Sequence, residues 1–362
     1  MKPYKHAEVV SAIELPPKTS KSFLPNLDGI RAIACLLVVL THIPFSINTE
    51  VMGAIGVGIF FTLSGLLMSH LYAREPWSAP AVIKYGVARF SRIAPIYWLV
   101  ISTCIIISYA QPDTYFSMRI HGATQIARHY LFGGSASIFW SIPPEIQYYI
   151  FFIFIWWSIA KTSKLPYAFP FMALLCAALI VTHAHWPGLA LPNKLHLFLA
   201  GSIAGFAPRV EWNGVAQRRA LFALQLGAIF MLAMPLWLFA TKEEFYGAPE
   251  LGLTIALAVY LLSIPSQWTT FIFASPIMRK IGQASFSIYL MHVLVFHYGT
   301  LLLGLSHDQY DPLWLLLGLA GVVLPMIASK YIEIPLQNKM RKALEKIFKF
   351  PTKKPIIQPL QT

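Results

Sequence analysis

Two side chains in the first apolar segment have the residue types and the spacing for chemistry inside a membrane. Arg31 and His42 are eleven residues apart in a segment that is otherwise largely apolar. At helical pitch, eleven residues return to nearly the same face about 16 Å further along the axis. Each residue alone has a plain explanation, a snorkelling charge for Arg31 and a packed polar group for His42. A permanent cation and a titratable base on one stripe are costly in an apolar span, and together they favour a function.

A second pair of arginines adds an anion-binding pattern. Arg89 and Arg92 are three residues apart in ARFSRIAPIYWL, so they share a helical face that we expect at the cytoplasmic mouth. Planar guanidinium groups bind phosphates through paired hydrogen bonds. Taken alone, this pair is ordinary cytoplasmic positive charge. Together with Arg31, it predicts a site for a phosphate-bearing ligand.

The segment FWSIPPEIQYY supplies a carboxylate and aromatic rings. We expect Glu145 at the outer face, at the depth of His42, where a carboxylate can orient a histidine base or bind an acceptor hydroxyl. The alternative is a carboxylate that stabilises the N-terminus of its helix. Trp140 and Tyr148 suit stacking on sugar rings, although aromatic residues also collect at membrane interfaces.

Other polar residues are weaker candidates. His292, in YLMH, lies within a later apolar segment and is either a second polar group of the site or a packed histidine. His183 and His185 form a His-x-His without further ligands nearby, so no metal site is predicted. The cysteines lie inside apolar blocks, which argues against a disulfide framework; they are Cys35, Cys104 and Cys176.

The composition sets the class of fold that must position these residues. Of 362 residues, 57% are hydrophobic and 12% charged, about half the charged fraction of a soluble domain, and the mean hydropathy is +0.60. Apolar blocks of this length span a bilayer as helices. The sequence predicts an all-α polytopic membrane protein with about ten transmembrane helices, at 30–47, 53–72, 93–110, 138–160, 167–184, 190–207, 220–240, 250–268, 283–304 and 313–332.

The distribution of charge predicts the orientation. With both termini cytoplasmic, every Lys and Arg lies on the cytoplasmic side except for four: Arg119, Arg128, Lys194 and Lys242. This bias is the positive-inside pattern. The net charge of +13 is thereby explained by topology and by attraction to anionic membrane lipids, so no nucleic-acid partner is predicted.

Three regions follow from this reading. Residues 1–23 are a polar cytoplasmic tail that does not resemble a signal peptide. Residues 24–335 are the membrane domain. Residues 336–362 are a basic cytoplasmic tail whose apolar residues recur at helical spacing among Lys and Arg, which predicts an amphipathic helix on the inner leaflet.

Six segments, in order, resemble the motifs of acyltransferase family 3, the bacterial integral-membrane O-acyltransferases. The resemblance runs from about Leu24 to Glu333. Four of the segments match the first four motifs of the family: LDGIRAIACLLVVLTH with its Arg-x10-His, GVGIFFTLSGLL, ARFSRIAPIYWL and FWSIPPEIQYY. The last two are SFSIYLMH and Glu333-x-Pro335.

The resemblance implies transfer of an acyl group, usually acetyl, from acyl-CoA to a hydroxyl of a glycan such as a surface polysaccharide or a lipid-linked saccharide. It implies acetyl-CoA as co-substrate, no metal, and the bacterial cytoplasmic membrane. In that reaction Arg31, Arg89 and Arg92 would bind the donor. His42 would act as general base, or alternatively carry a covalent acyl group. Glu145 is the second catalytic candidate; the expected substrate-binding residues are Trp140, Tyr148 and His292.

The chain departs from the family at two places. Pro143-Pro144-Glu145-Ile146 stands where members often have Ser-Val-Glu-Glu, so one acidic position is lost. No esterase-like domain, which some members carry, fits after residue 335. Two further hypotheses stay open: a transporter or flippase of a lipid-linked sugar, disfavoured by the lack of repeat symmetry, and an acyltransferase of the same fold that acts on a small molecule.

Overall fold

A computed structural model of the chain describes residues 24–44, 49–208, 210–306 and 311–349, and the regular structure in these ranges is helical without strands. Residues 1–23 and 350–362, assigned above to the two tails, lie outside the described residues. The α-helices are α1 (Asn26–Leu40), α2 (Thr49–Met68), α3 (Ala79–Ala110), α4 (Ala123–Tyr130), α5 (Ile142–Lys161), α6 (Ala168–Val181), α7 (Leu195–Phe206), α8 (Val215–Ala233), α9 (Pro235–Leu238), α10 (Lys242–Tyr246), α11 (Glu250–Ser263), α12 (Gln267–Phe273), α13 (Pro276–Gln283), α14 (Ser285–Leu303), α15 (Leu313–Ala328) and α16 (Ile334–Ile347).

The all-α, multi-pass membrane class is confirmed. Each of the ten predicted segments contains a helix. Within the described residues, six continuous helical stretches are long and apolar enough to cross a membrane, and α11 with α12 makes a seventh if this pair, bent by 100°, is one span. α6 and α7 are apolar but shorter. The predicted count of ten and the side of the termini stay predictions.

Close packing through glycine holds α2 between α1 and α7. A Cβ on Gly56 would meet the carbonyl oxygen of Ala34 in α1, and one on Gly65 would overlap the carbonyl oxygen of Phe198 in α7. Small residues let membrane helices approach until their backbones touch. In lipid, where the hydrophobic effect does not drive helices together, this close contact holds them by van der Waals attraction. The glycines of GVGIFFTLSGLL therefore serve packing.

α14 runs alongside α1 in the same direction. Near the start of α14, the carbonyl oxygen of Ser285 accepts a hydrogen bond from Cys35 at 3.6 Å. Two residues beyond the end of α1, His42 lies beside His292. Both pairs are separated by 250 residues, so the two helices advance in step. This register carries His292 to the outer end of the Arg31–His42 stripe.

The segment after α3 turns back along that helix. Ser108, near the end of α3, accepts a hydrogen bond from the Ile120 N–H at 3.0 Å. Ten residues further along the chain, the carbonyl oxygen of Tyr130 accepts one from Trp98 at 3.1 Å. α4 therefore descends antiparallel to α3 by about 15 Å, the rise of the ten residues between Trp98 and Ser108. The predicted outer loop at 111–137 is in large part a segment that returns along α3.

α5 begins deep in the molecule as a consequence. Ser64 of α2 contacts Glu145 in the first turn of α5, and the carbonyl oxygen of Glu75 accepts a hydrogen bond from Trp156 at 2.8 Å. Both pairs are 81 residues apart, so α5 runs parallel to α2 and starts beside its fifth turn. The segment before α5 runs inward along α3, so the residues that cover the outer half of the membrane domain precede α5.

The end of the described chain is a helix, as the tail pattern predicts. α16 follows a π-helical segment, Ser329–Glu333, and packs against α3. Glu333 is buried and accepts hydrogen bonds from Ser287 at 2.6 Å and Ser329 at 2.5 Å. These contacts tie the start of α16 to α14; the placement of α16 on a lipid surface stays a prediction.

Candidate functional site

A cavity between α1, α2, α3, α5 and α14 collects most of the polar residues singled out above. Its volume is about 60 Å³. The wall is apolar on most sides, which raises the strength of any electrostatic contact inside it. The lining residues with polar side chains are Arg31, Ser64, Arg89, Arg92, Ser141, Glu145, Tyr149, Ser285 and Tyr289.

Three guanidinium groups face this cavity. Arg31 pairs with Asp28 at 3.6 Å, and its side chain is 16% exposed. Arg89 lies with its guanidinium carbon 6.0 Å from the ring centre of Tyr72, and its buried Nε has no hydrogen-bond partner among the described residues. Arg92 lines the cavity one helical turn further along α3. The predicted arginine cluster is thus assembled, with a buried donor left for a ligand.

Glu145 belongs to the arginine end of the stripe. Its Oε1 accepts hydrogen bonds from Ser64 at 3.0 Å and Tyr149 at 2.5 Å, and it shares the cavity wall with Arg31. The expectation that Glu145 lies at the depth of His42 is wrong. The reason is the descending segment before α5, which carries the start of that helix inward to the level of Ser64.

His42 lies at the other end of the stripe, beside a second histidine. Its Nδ1 is 3.0 Å from the carbonyl oxygen of Val38 and 3.4 Å from Nε2 of His292. The two rings meet edge to face with centroids 4.8 Å apart, and Phe296 lies 6.2 Å from the His42 ring. His292 is fully buried, so it supports His42 from behind, and the structure does not favour the prediction that it binds substrate directly.

Two aromatic residues connect the arginine cavity to the histidine pair. Phe60 and Tyr289 both line the cavity, with ring centroids 6.3 Å apart. The Tyr289 ring is also 6.2 Å from that of His292. Its hydroxyl donates to the carbonyl oxygen of Ile138 at 2.8 Å. These two rings therefore lie between the cavity and the histidine pair.

The two aromatic residues expected to bind the acceptor differ in their surroundings. Trp140 is half-buried, with its ring 5.4 Å from Tyr246 and 6.4 Å from Phe61. Tyr148 has no exposed surface; its hydroxyl bonds to Ser202 and its ring stacks on Phe198 at 4.4 Å. The structure gives Tyr148 a packing role between α5 and α7 and does not support acceptor binding.

Three residues of the site are not among those that the sequence patterns indicated. Tyr149 follows Glu145 by four positions, so helical spacing alone would have paired them. Tyr289 precedes His292 by three positions and had the same signal. Ser64 reaches Glu145 across 81 residues, and no local pattern reveals that contact. In the described part of the chain, no cluster of three or more His, Cys, Asp or Glu could hold a metal ion.

Comparison with known proteins identifies the family of the chain. The family model described as an acyltransferase domain, acyltransferase family 3, matches residues 24–330. The peptidoglycan O-acetyltransferase OatA of Listeria monocytogenes is 24% identical over 358 residues, which cover 88% of this chain and 56% of that protein. A putative O-acetyltransferase of Staphylococcus aureus is 23% identical over 310 residues, covering 75% of this chain and 50% of that protein.

A third relative is the putative peptidoglycan O-acetyltransferase YrhL of Bacillus subtilis, 24% identical over 307 residues, with 75% of this chain and 48% of that protein covered. The chain spans about half the length of these curated relatives. No solved structure matches it. Because the family model covers most of its length, and the motifs that first indicated the resemblance lie within that match, this multi-pass membrane protein belongs to acyltransferase family 3.

Proposed function

We propose that this protein transfers an acetyl group from cytoplasmic acetyl-CoA to a hydroxyl of a glycan, such as a surface polysaccharide or a lipid-linked saccharide. One observation carries the proposal: three guanidinium groups line a cavity at one end of α1, and His42 lies at the other end of the same stripe. Two relatives, named as a peptidoglycan O-acetyltransferase and a putative one, support a glycan acceptor. The bacterial cytoplasmic membrane, with both termini inside, is part of the proposal.

The donor would bind with its phosphates at the arginines. Arg31, Arg89 and Arg92 offer fork-shaped donors in a mostly apolar wall, where charge-assisted hydrogen bonds are strongest. His42 lies about 16 Å along the helix axis from Arg31, within reach of an extended pantetheine arm. The arm would pass Phe60 and Tyr289, whose rings line the cavity on the side of the histidine pair. The cavity of about 60 Å³ must widen for this passage.

The chemical step at His42 conserves protons. The imidazole takes the proton of the acceptor hydroxyl as its oxygen attacks the thioester carbonyl. The carbon–sulfur bond breaks, and the proton passes from the imidazolium to the departing thiolate. The products are the acetyl ester and free CoA. An acyl-histidine intermediate is the alternative route, and trapping of labelled acetyl on the protein distinguishes the two.

Glu145 takes a positioning role in this proposal. Its carboxylate is bonded to Ser64 and Tyr149 and shares a cavity with three arginines. A carboxylate there offsets the mutual repulsion of the guanidinium groups and orders them for the donor. The acceptor approaches from the outer side, and half-buried Trp140, whose ring lies 5.4 Å from that of Tyr246, offers a ring for a sugar to stack on.

The first test measures donor binding and slow hydrolysis by the purified protein in detergent. Arg31→Ala and Arg89→Ala should each weaken acetyl-CoA binding by about tenfold or more, because each removes hydrogen bonds to a charged group. His42→Ala should bind acetyl-CoA normally and lose about 10²- to 10⁴-fold in hydrolysis, the usual share of a general base.

Arg218→Ala is the matched control. Arg218 carries the same charge but lies on α8, where it donates to the carbonyl oxygen of Asn213. Normal binding and turnover in this variant exclude a general effect of charge. Substantial hydrolysis by folded His42→Ala would remove His42 from the mechanism. A well-folded wild type that binds no acetyl-CoA would contradict the proposed donor and favour another acyl carrier or a transporter.

A further inference from the structure

Two groups lie within hydrogen-bond distance of one ring nitrogen of His42, its Nδ1. The carbonyl oxygen of Val38 lies 3.0 Å from its Nδ1. Nε2 of His292 lies 3.4 Å from the same Nδ1. A carbonyl oxygen only accepts, so a favourable contact with Val38 requires a proton on Nδ1. The remaining question is whether His292 presents a lone pair or a proton to His42.

The hydrogen bond and the burial of His292 indicate that it presents a lone pair to His42. Its Nδ1 lies 2.9 Å from the carbonyl oxygen of Ile288, so Nδ1 carries the proton and donates it. In a neutral imidazole the other nitrogen, Nε2, then has the lone pair. The ring is fully buried, with Tyr289 and Phe296 at centroid distances of 6.2 and 6.0 Å. Such surroundings disfavour a charged ring, so Nε2 stays an acceptor.

We infer that His292 is a positioning residue that holds His42 as the tautomer with its proton on Nδ1. The chain of bonds runs from His42 Nδ1–H to His292 Nε2, and from His292 Nδ1–H to the carbonyl oxygen of Ile288. Nε2 of His42 is therefore the nitrogen that can remove a proton. This inference rests on the proposed function for its catalytic consequence but not for the tautomer itself.

The same hydrogen bonds also stabilise the charged form of His42. When Nε2 takes the proton of the acceptor hydroxyl, Nδ1–H keeps both acceptors, and its hydrogen bonds strengthen because the donor is now cationic. The ring does not have to turn or exchange its proton between the two halves of the reaction. If the proton of His42 were on Nε2, that nitrogen could not act as a base. The lone pair of Nδ1 would then face the carbonyl oxygen of Val38 and the lone pair of His292 Nε2.

The tautomer is measured directly, without any assay of activity. Protein labelled with ¹⁵N and ¹³C in histidine is reconstituted in lipid bilayers, and the ring signals are recorded by solid-state NMR. The signals that disappear in His42→Ala belong to His42. We expect them to show Nδ1 protonated in the wild type. A wild-type His42 protonated on Nε2 would overturn the inference, whatever the protein turns out to catalyse.

Variants of His292 test the consequence for turnover. A glutamine amide oxygen can occupy the position of Nε2, so His292→Gln should keep Nδ1 of His42 protonated and retain turnover within a few fold. His292→Leu removes the acceptor and should lower kcat by about tenfold, the usual worth of one hydrogen bond. The KM for acetyl-CoA should stay unchanged, because the substitution leaves the three arginines of the cavity untouched. Phe296→Leu is the packing control: it alters the same surroundings without removing an acceptor.

The outcomes separate the two claims. Equal kcat losses in His292→Gln, His292→Leu and Phe296→Leu would show a purely structural role and overturn the inference. Loss of kcat in His292→Leu with rescue by His292→Gln supports it. If His42→Ala retains hydrolysis while NMR still finds Nδ1 protonated, the proposed function fails and the tautomer assignment stands.

Discussion

At the scale of residues, the groups proposed for donor binding and for the chemical step lie at opposite ends of the site. Arg31 faces an electropositive cavity, and His42 lies about 16 Å further along the helix axis beside a neutral acceptor. Glu145, which sequence reasoning assigned to the base, lies with the arginines instead. Under the proposed function, a carboxylate that contacts Ser64 and Tyr149 acts on donor binding through the arginines of the cavity.

Substitution of Glu145 tests that assignment. Glu145→Ala leaves the hydroxyls of Ser64 and Tyr149 without their acceptor, which costs about 1–3 kcal/mol. We expect the Kd for acetyl-CoA to rise about tenfold, and turnover at saturating acetyl-CoA to fall much less than in His42→Ala. Isothermal titration and steady-state hydrolysis measure the two quantities.

Glu145→Gln is the control, because its amide oxygen still accepts from both hydroxyls and should weaken binding less. The opposite pattern, unchanged binding with turnover as low as in His42→Ala, would return Glu145 to the chemical step.

At the scale of elements, the register between helices decides which side chains meet. α14 advances with α1, which pairs His292 with His42, and α5 advances with α2, which pairs Glu145 with Ser64. Glycine contacts between α2 and α7 set the distance between these helices. The cavity therefore depends on helix packing some distance from its own lining.

Gly65→Ala should disturb that packing. Its new methyl group would overlap the carbonyl oxygen of Phe198, a backbone atom that cannot turn aside, so α2 and α7 must separate. We expect a loss of about 1–3 kcal/mol in stability, in line with overpacked cores, seen as a lower apparent melting temperature in detergent.

Gly227→Ala in α8 is the matched control. A Cβ there meets nothing within 4 Å, and alanine is a better helix former than glycine by roughly 1 kcal/mol. Its melting temperature should stay the same or rise. Equal losses in both variants would contradict the assigned contact between α2 and α7.

At the scale of the whole molecule, the positive charge is arranged by topology. If both termini are cytoplasmic, the Lys and Arg residues lie almost entirely on one side, as the positive-inside pattern predicts. In the proposed reaction, that orientation would place the arginine cavity towards cytoplasmic acyl-CoA and His42 towards a glycan at the outer face.

Labelling with a membrane-impermeant maleimide tests this orientation. Cysteine introduced by Ser117→Cys, at an exposed position after α3, should react in intact cells. Ser20→Cys and Thr352→Cys, in the predicted cytoplasmic tails, should react only after permeabilisation. The three native cysteines are buried and give little background. Reaction of either tail in intact cells would contradict the topology.

Much of the candidate site follows from local patterns. The stripe of Arg31 and His42 and the pair of Arg89 and Arg92 depend on helical pitch, which spacing along the chain already specifies. The structure brings all three arginines to one cavity. The depth of Glu145 was mispredicted, because hydropathy does not show that α4 and the following residues descend along α3.

The helical membrane class, the positions of the apolar segments and the eleven-residue spacing of Arg31 and His42 can be predicted from the sequence, since each depends on hydrophobicity and periodicity over a few turns. That His292 lies beside His42, that Ser64 bonds to Glu145, and that Tyr148 packs in the core follows from the tertiary structure alone. These contacts join residues on separate helices or opposite faces, up to 250 positions apart. They are set by helix register and close packing, which no local pattern of side chains encodes.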